Sequence, residues 1–451
     1  MSDYPSSPLQ RSSRIARTGL KVGTNYAMHH FKRMVGGENH ERTRKLHHST
    51  ARLLFDEFSK LKGTALKLAQ TLSLDHGMLP AEFAEVMAQA QYSVPPIGRS
   101  LVRQIIKTEL GASPEELFAW FEPDAFAAAS IGQVHRARLA DGTNVVVKVQ
   151  YPDVRSSIRS DLQMAKMVFK RLVRSGNTDD YFAEIHDKMM EETDYIHEAA
   201  MIEAFHERYN NDAFCLPRAL REYSTGKVLV MSALEGEHLA DFLKRNPTRE
   251  ERNLYGQRLW DFFHAQINDW GTLHADSHPG NYMLCKDGRL GVLDMGCVKE
   301  CPDVFFVDYV FLLPLQLRAD DQELMAVYER LGLVHAQTRD SDNEMAFFEL
   351  CKQFGELVVS PYRKERFNFA DTQYATEYAR LVKQATSRPE PRGSHHFIYV
   401  TRSHIGLYRM LMQLGAEIET RGGRDHVLAW CDKKMAVAQV RSATPPVAAT
   451  A

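Results

Sequence analysis

Residues 274–281 read His274-Ala275-Asp276-Ser277-His278-Pro279-Gly280-Asn281, and a little further on stands Asp294-Met295-Gly296. Polar side chains around Pro279-Gly280 make the first stretch a loop. Helical spacing over residues 254–270 leads into it, and residues 282–285 and 290–293 read as short strands on its far side. Asp276, Asn281 and Asp294 carry hard oxygen atoms, the kind that magnesium and a nucleoside phosphate require. Each piece taken singly has a bland alternative. Asp294-Met295-Gly296 is also an ordinary turn. His274 and His278 stand at i and i+4, but the neighbouring Pro279-Gly280 puts them in a loop rather than on a zinc-binding helix, and no metal is expected on them.

Upstream, residues 131–139 and 143–150 read as two strands joined at Asp141-Gly142, a strong hairpin signal. In the second strand Val145, Val147 and Val149 face one way and Val146, Lys148 and Gln150 the other. A lone strand lysine is by default an edge guard against aggregation. A turn of small residues, Ala127-Ala128-Ala129-Ser130, precedes the hairpin. One long helix is expected over 181–209 and another strand over 227–234. Small-residue turn, strand lysine, acidic helix, Asp276 with Asn281, then Asp294: this is the order of parts in a protein kinase. The expected fold class is therefore α+β, a bilobal protein-kinase-like fold with an N-terminal helical extension and a mostly helical C-terminal lobe.

The rest of the chain fits that frame. It has 451 residues, 44% hydrophobic and 25% charged, enough for a kinase-sized core. A formal net charge of -2 gives no pull toward nucleic acid. Positive charge concentrates instead in a basic leader, residues 1–48, where nine lysines and arginines run from Arg11 to Lys45. Two readings of this arm stand: peripheral contact with anionic lipid headgroups, or a solvated, partly disordered leader. Six cysteines without a C-x-x-C pair suit a reducing compartment. The apolar run at 304–317 is too short to span a bilayer and is expected to be a core helix. The expected location is cytoplasmic, with the inner membrane as a peripheral contact. Helices are expected over 51–72, 81–91 and 100–110, within an extension spanning 49–122. An N-lobe over 123–236, a C-lobe over 237–440 and a disordered tail over 441–451 follow, with no internal repeat.

Four segments then resemble one family. Ala127 to His135 is similar to the alanine-rich loop that UbiB-type (AarF/ABC1-like) atypical kinases carry in place of a glycine-rich one. Residues 62–70, ending Lys67-Leu68-Ala69-Gln70, resemble that family's K-x-G-Q helix. Glu192-Thr193-Asp194 resembles its E-x-D motif, and residues 274–281 resemble its H-A-D-P-H-P-G-N catalytic loop. The match covers about residues 50–300. The resemblance implies Lys148 and Asp276 as catalytic residues, with Lys148 on the α- and β-phosphates. It implies Asn281 and Asp294 on Mg2+, and Ala127, Ala128, Ala129, Ser130, Lys148, Glu198 and Glu235 around ATP or ADP. Lys67, Gln70, Glu192 and Asp194 are implied as regulatory, their helix lying where a kinase would admit a protein substrate.

On a single long helix, Glu192 and Glu198 lie about a third of a turn apart, at ~100° per residue. By analogy Glu198 goes to Lys148, and Glu192 with Asp194 to the Lys67/Gln70 helix. An exposed helix charge is the bland reading of either glutamate. Three residues depart from the family pattern: Ala69 for glycine, Ser277 for proline and Met295 for phenylalanine. The paired C-terminal membrane spans of some bacterial members are not evident. The function implied is an ATP-dependent phosphotransferase or ATPase supporting ubiquinone or other isoprenoid-lipid synthesis, with isoprenoid lipid or quinone-biosynthesis proteins as partners. Two alternatives stand beside it. One is a nucleotide-sensing scaffold, because alanine Cβ atoms crowd the phosphate-cradling backbone. The other is a small-molecule kinase of the aminoglycoside or choline type, against which the Lys67/Gln70 helix counts.

Overall fold

The computed structural model describes residues 48–53, 96–128, 131–172, 178–269, 272–386, 392–394 and 396–443. Residues 1–47 of the basic leader, most of the expected helix over 51–72, the helix over 81–91 and residues 444–451 of the tail lie outside these residues, while residues 441–443, expected in the disordered tail, close the last helix.

After helix α1 (Arg99–Leu110) and the single turn α2 (Pro114–Leu117) come strands β1 (Trp120–Phe121), β2 (Ala127–Ala128), β3 (Gly132–Arg138) and β4 (Asn144–Gln150). Helices α3 (Val154–Leu172), α4 (Thr178–Glu192) and α5 (Tyr195–Tyr209) follow, then β5 (Phe214–Cys215), β6 (Val228–Ser232) and β7 (Gly236–Glu237). The first half of the small-residue turn is thus strand: Ala127 and Ala128 pair antiparallel with Val134 and Gln133. The β3–β4 hairpin turns where Asp141 accepts the Thr143 amide at 2.8 Å and Gly142 adopts φ +89°, a conformation open to glycine. Sheet order is β1-β3-β4-β6, with β2 paired to the start of β3 and β1 to its end. Strand β4 is therefore central, hydrogen-bonded on both sides, and Lys148 is no edge guard. Val145, Val147 and Val149 are at most 1% exposed, each contributing about 1.5–3 kcal/mol by leaving water.

The expected single helix over 181–209 is two helices, broken at Thr193-Asp194. Asp194 is the reason: its Oδ1 accepts the amides of Ile196 at 3.0 Å and His197 at 3.4 Å, capping α5. The buried face of α5 runs Tyr195, Glu198, Ala199, Ile202, Phe205 and Tyr209, helical spacing that carries one acid into the core.

The C-terminal part is mostly helical: α6 (Leu239–Lys244), α7 (Arg249–Asp269), and after a loop region α8 (Asp303–Arg318), α9 (Asp321–Arg330), α10 (Asp342–Val359), α11 (Thr372–Thr386), α12 (His396–Leu414) and α13 (Arg421–Ala443). Between α7 and α8 lie β8 (Thr272–His274), β9 (Tyr282–Cys285), β10 (Leu290–Val292) and β11 (Val298–Glu300). Helix α7 is the spine. Trp260 is fully buried, with Tyr362 at 4.8 Å and Tyr408 at 6.3 Å between ring centroids. The expected core helix is α8, which buries Phe305, Phe306, Val310 and Leu315 while Val304 points outward. Among the described residues no helix is long and apolar enough to cross a membrane.

Candidate nucleotide site

Lys148 projects from β4 toward α5. Its Nζ donates to Glu198 Oε1 at 2.7 Å and Oε2 at 2.9 Å, and to Asp294 Oδ2 at 3.3 Å. The ammonium also lies 5.1 Å from the centre of the Tyr195 ring. Burial disfavours this cation, yet the carboxylates of Asp294 and Glu198 outweigh it and hold the Lys148 pKa well above the ordinary lysine value. Burial also acts on Glu198, pushing its carboxyl up to about 7 against the pull of Lys148.

Glu192 and Glu198 sit on different helices, so the geometry expected from one continuous helix does not hold. Glu198, in the first turn of α5, makes the lysine contact. Glu192, at the end of α4, lines the cavity that Lys148 faces. The Asp194 carboxylate caps α5. Lys67 and Gln70, the expected counterparts of Glu192 and Asp194, lie outside the described residues, as do Ala129 and Ser130.

The loop after β8 supplies the remaining groups. His274 Nε2 donates to the Asp294 carbonyl at 2.6 Å, tying the loop to the turn after β10. Its own amide donates to Gln266 of α7 at 2.7 Å. His278 Nδ1 accepts the Gly280 amide at 3.1 Å, a local cap. His274 is thus engaged with the turn after β10 and His278 within its own loop. Asn281 Nδ2 donates to the Asp276 carbonyl at 3.0 Å, which directs its amide oxygen to other use. Asp294 Oδ1 accepts the Gly296 amide at 2.7 Å. Lys148, Glu198, Asp276, Asn281 and Asp294 all line one cavity of about 1300 Å³ under the sheet. Ala127 and Glu235 border it as well, Glu235 in the link between β6 and β7. The amide oxygen of Asn281 and the carboxylate of Asp294 are a hard-oxygen pair that fits Mg2+.

One part of the site was not anticipated. Helix α12 presents Tyr399, Arg402, Ser403 and Gly406, spaced i, i+3, i+4 and i+7, to the Asp276 loop. Tyr399 clusters with Ala275 and Cys297. Arg402 Nη2 donates to Asp276 Oδ1 at 2.6 Å. Ser403 Oγ donates to the His274 carbonyl at 3.0 Å. Gly406 lies so close to Ser277 that a Cβ there would meet the serine Cβ at 2.5 Å. The amphipathic spacing of 396–414 was the available signal. Nothing in it says which loop the face covers.

A small antiparallel sheet whose central lysine is paired to a helix glutamate, above a loop carrying aspartate, asparagine and a second aspartate, defines a protein-kinase-like phosphotransferase. The ABC1 atypical kinase-like domain matches residues 89–328, more than half of the chain, and the chain belongs to that family. It is 27% identical over 430 residues to the atypical kinase COQ8, mitochondrial, of Saccharomyces cerevisiae, covering 92% of this chain and 84% of that protein. Identity to the probable serine/threonine-protein kinase abkA of Dictyostelium discoideum is 24% over 444 residues, covering 92% and 78%. The probable protein kinase UbiB of Marinobacter nauticus is 31% identical over 310 residues, 64% of this chain and 55% of that protein. Among solved structures, the Rv3197–erythromycin complex of Mycobacterium tuberculosis superposes with a TM-score of 0.61 at 29% identity, covering 86% of this chain and 98% of that one. The chain is an atypical kinase of the UbiB/COQ8 type, a nucleotide-using phosphotransferase by fold and family.

Proposed function

We propose that the cavity binds ATP or ADP with Mg2+ and that the protein transfers or hydrolyses the terminal phosphoryl group. The observation that carries this reading is the buried Lys148–Glu198 pair at 2.7 Å, with Asp294 at 3.3 Å from the same ammonium. An ammonium so held is a fixed charge for the α- and β-phosphates. Asn281 and Asp294 would hold the magnesium, whose contribution is to neutralise charge on the phosphates. Asp276, on the loop side of the cavity, accepts the proton of the attacking hydroxyl, leaving that oxygen to bond phosphorus as the bridging oxygen departs with the nucleoside diphosphate. Ala127 and Ala128, with Ala129 and Ser130, cover the phosphates, and Glu235 borders the base. By the family resemblance, Lys67, Gln70, Glu192 and Asp194 act as the regulatory set that restricts the acceptor to something other than an ordinary protein substrate. The biological setting we propose is ubiquinone or other isoprenoid-lipid synthesis, with the basic leader in peripheral contact with a membrane.

The test is a thermal shift with ATP and with ADP, each with and without magnesium, followed by Mg·ATP turnover with and without anionic vesicles carrying a quinone-precursor mimic. A magnesium-dependent shift and vesicle-stimulated turnover are expected. No shift under any condition overturns the nucleotide reading, and turnover indifferent to the vesicles removes the lipid setting.

A further inference from the structure

We propose that Arg402 is the positioning residue of Asp276, so that a helix beyond the matched domain sets the orientation of the carboxylate on which phosphoryl transfer depends. This rests on the nucleotide reading above and adds a residue to it.

The pair is not a surface ion pair of little consequence. The side chains of Arg402 and Asp276 are 15% and 20% exposed, and the guanidinium donates at 2.6 Å. Burying a guanidinium is costly unless a partner fixes it, and this one has Asp276 as its first electrostatic partner. Docking the helix does not require that charge, because the Ser403 bond and the close approach of Gly406 to Ser277 already fasten α12 to the loop. What a planar guanidinium adds is direction: it fixes the orientation of the carboxylate it bonds, which a flexible ammonium does less well. Asn281 grips the backbone carbonyl of Asp276 while Arg402 grips its side chain. Loop and carboxylate are thereby set by different elements. Residue 402 stands well beyond residue 328, where the domain match ends.

The experiment is a double-mutant cycle on Mg·ATP turnover with the full chain: wild type, Asp276→Asn, Arg402→Met and the double variant, with Arg402→Lys as the conservative companion. Nucleotide affinity is measured in parallel by thermal shift. Arg402→Met is expected to lower turnover about a hundredfold, the scale of loss when a reacting group is misplaced, with nucleotide affinity within about threefold by the same argument. Arg402→Lys should recover part of that loss. In the Asp276→Asn background, Arg402→Met should change turnover by less than about twofold, because the group it orients is gone. A purely structural role predicts the same fractional loss in both backgrounds, and that result overturns the inference. So does unchanged turnover in Arg402→Met, or a loss confined to nucleotide affinity. If Arg402→Met does not fold, the cycle is read with Arg402→Lys under the same criteria. Wild-type turnover in Asp276→Asn would instead overturn the catalytic assignment of Asp276, and this inference with it, whereas the nucleotide reading fails only if neither ATP nor ADP shifts the melting of the wild type.

Discussion

Lys148 and Glu198 form a pair whose members are not removable one at a time at equal cost. Lys148→Met strands a carboxylate that is 2% exposed, and breaking such a pair costs about 3–5 kcal/mol. Adding Glu198→Gln should restore most of that loss, because the double variant buries no unpaired charge. The pH dependence has a definite sign. The Glu198 carboxyl is raised from its ordinary value to about 7, so its contribution to stability is full below the unfolded value and is lost as pH rises through 7. Without Lys148 the carboxyl moves higher still, and the damage done by Lys148→Met should grow from pH 6 to pH 8. Urea midpoints of the three proteins across that range check both statements. A double variant no more stable than Lys148→Met would show that the cost lies elsewhere.

At the scale of elements, the break between α4 and α5 governs where Glu198 sits. Asp194→Ala removes the cap and should cost about 1 kcal/mol, and it should weaken nucleotide binding by loosening the first turn that carries Glu198. Asp194→Ser should keep most of both. Equal nucleotide affinity in Asp194→Ala would mean that the turn holds without its cap. This break was written in the sequence as an aspartate before a helical stripe, but apolar periodicity runs through it and suggests one helix. Lys148, Asp276, Asn281 and Asp294, which line one cavity, were picked out by the order of their motifs along the chain and by the family resemblance, since each alone had a bland alternative. The assignment of Glu198 to Lys148 matched the observed contact although its helical geometry did not, since the residues lie on separate helices. Arg402 was illegible for a different reason: it meets Asp276 across 126 positions, and only tertiary packing pairs them.

The whole molecule carries a pH liability in its helical half. His264 is buried against Trp260 and Tyr362, and burial pushes its pKa down to about 4. His404 bonds Tyr309 and is pushed down to about 3, chiefly by burial with His264 adding to it. A depressed histidine contributes stability above its unfolded value, near 6.5, that is lost as pH falls toward the folded one. Together the two should cost on the order of 4 kcal/mol between pH 7.5 and pH 5. Glu198 works in the opposite direction over part of that window, so a variant isolates the effect: His404→Phe should flatten the slope by roughly half. Urea midpoints at the two pH values measure it, and an equal slope in wild type and His404→Phe would exclude His404 as a cause.

The helix face that sets Tyr399, Arg402, Ser403 and Gly406 against residues 274–277 also limits how this gene can be recombined. A chimera that joins this catalytic segment to the tail of a relative would keep every motif intact and still misassemble if the incoming helix were shifted by one residue. A one-residue shift rotates the arginine about 100° away from Asp276 and brings a side chain with a Cβ to the place where only glycine clears Ser277. Segments far apart in the chain are therefore inherited as a matched set, and productive crossovers should fall outside the interval from the loop to α12 rather than within it.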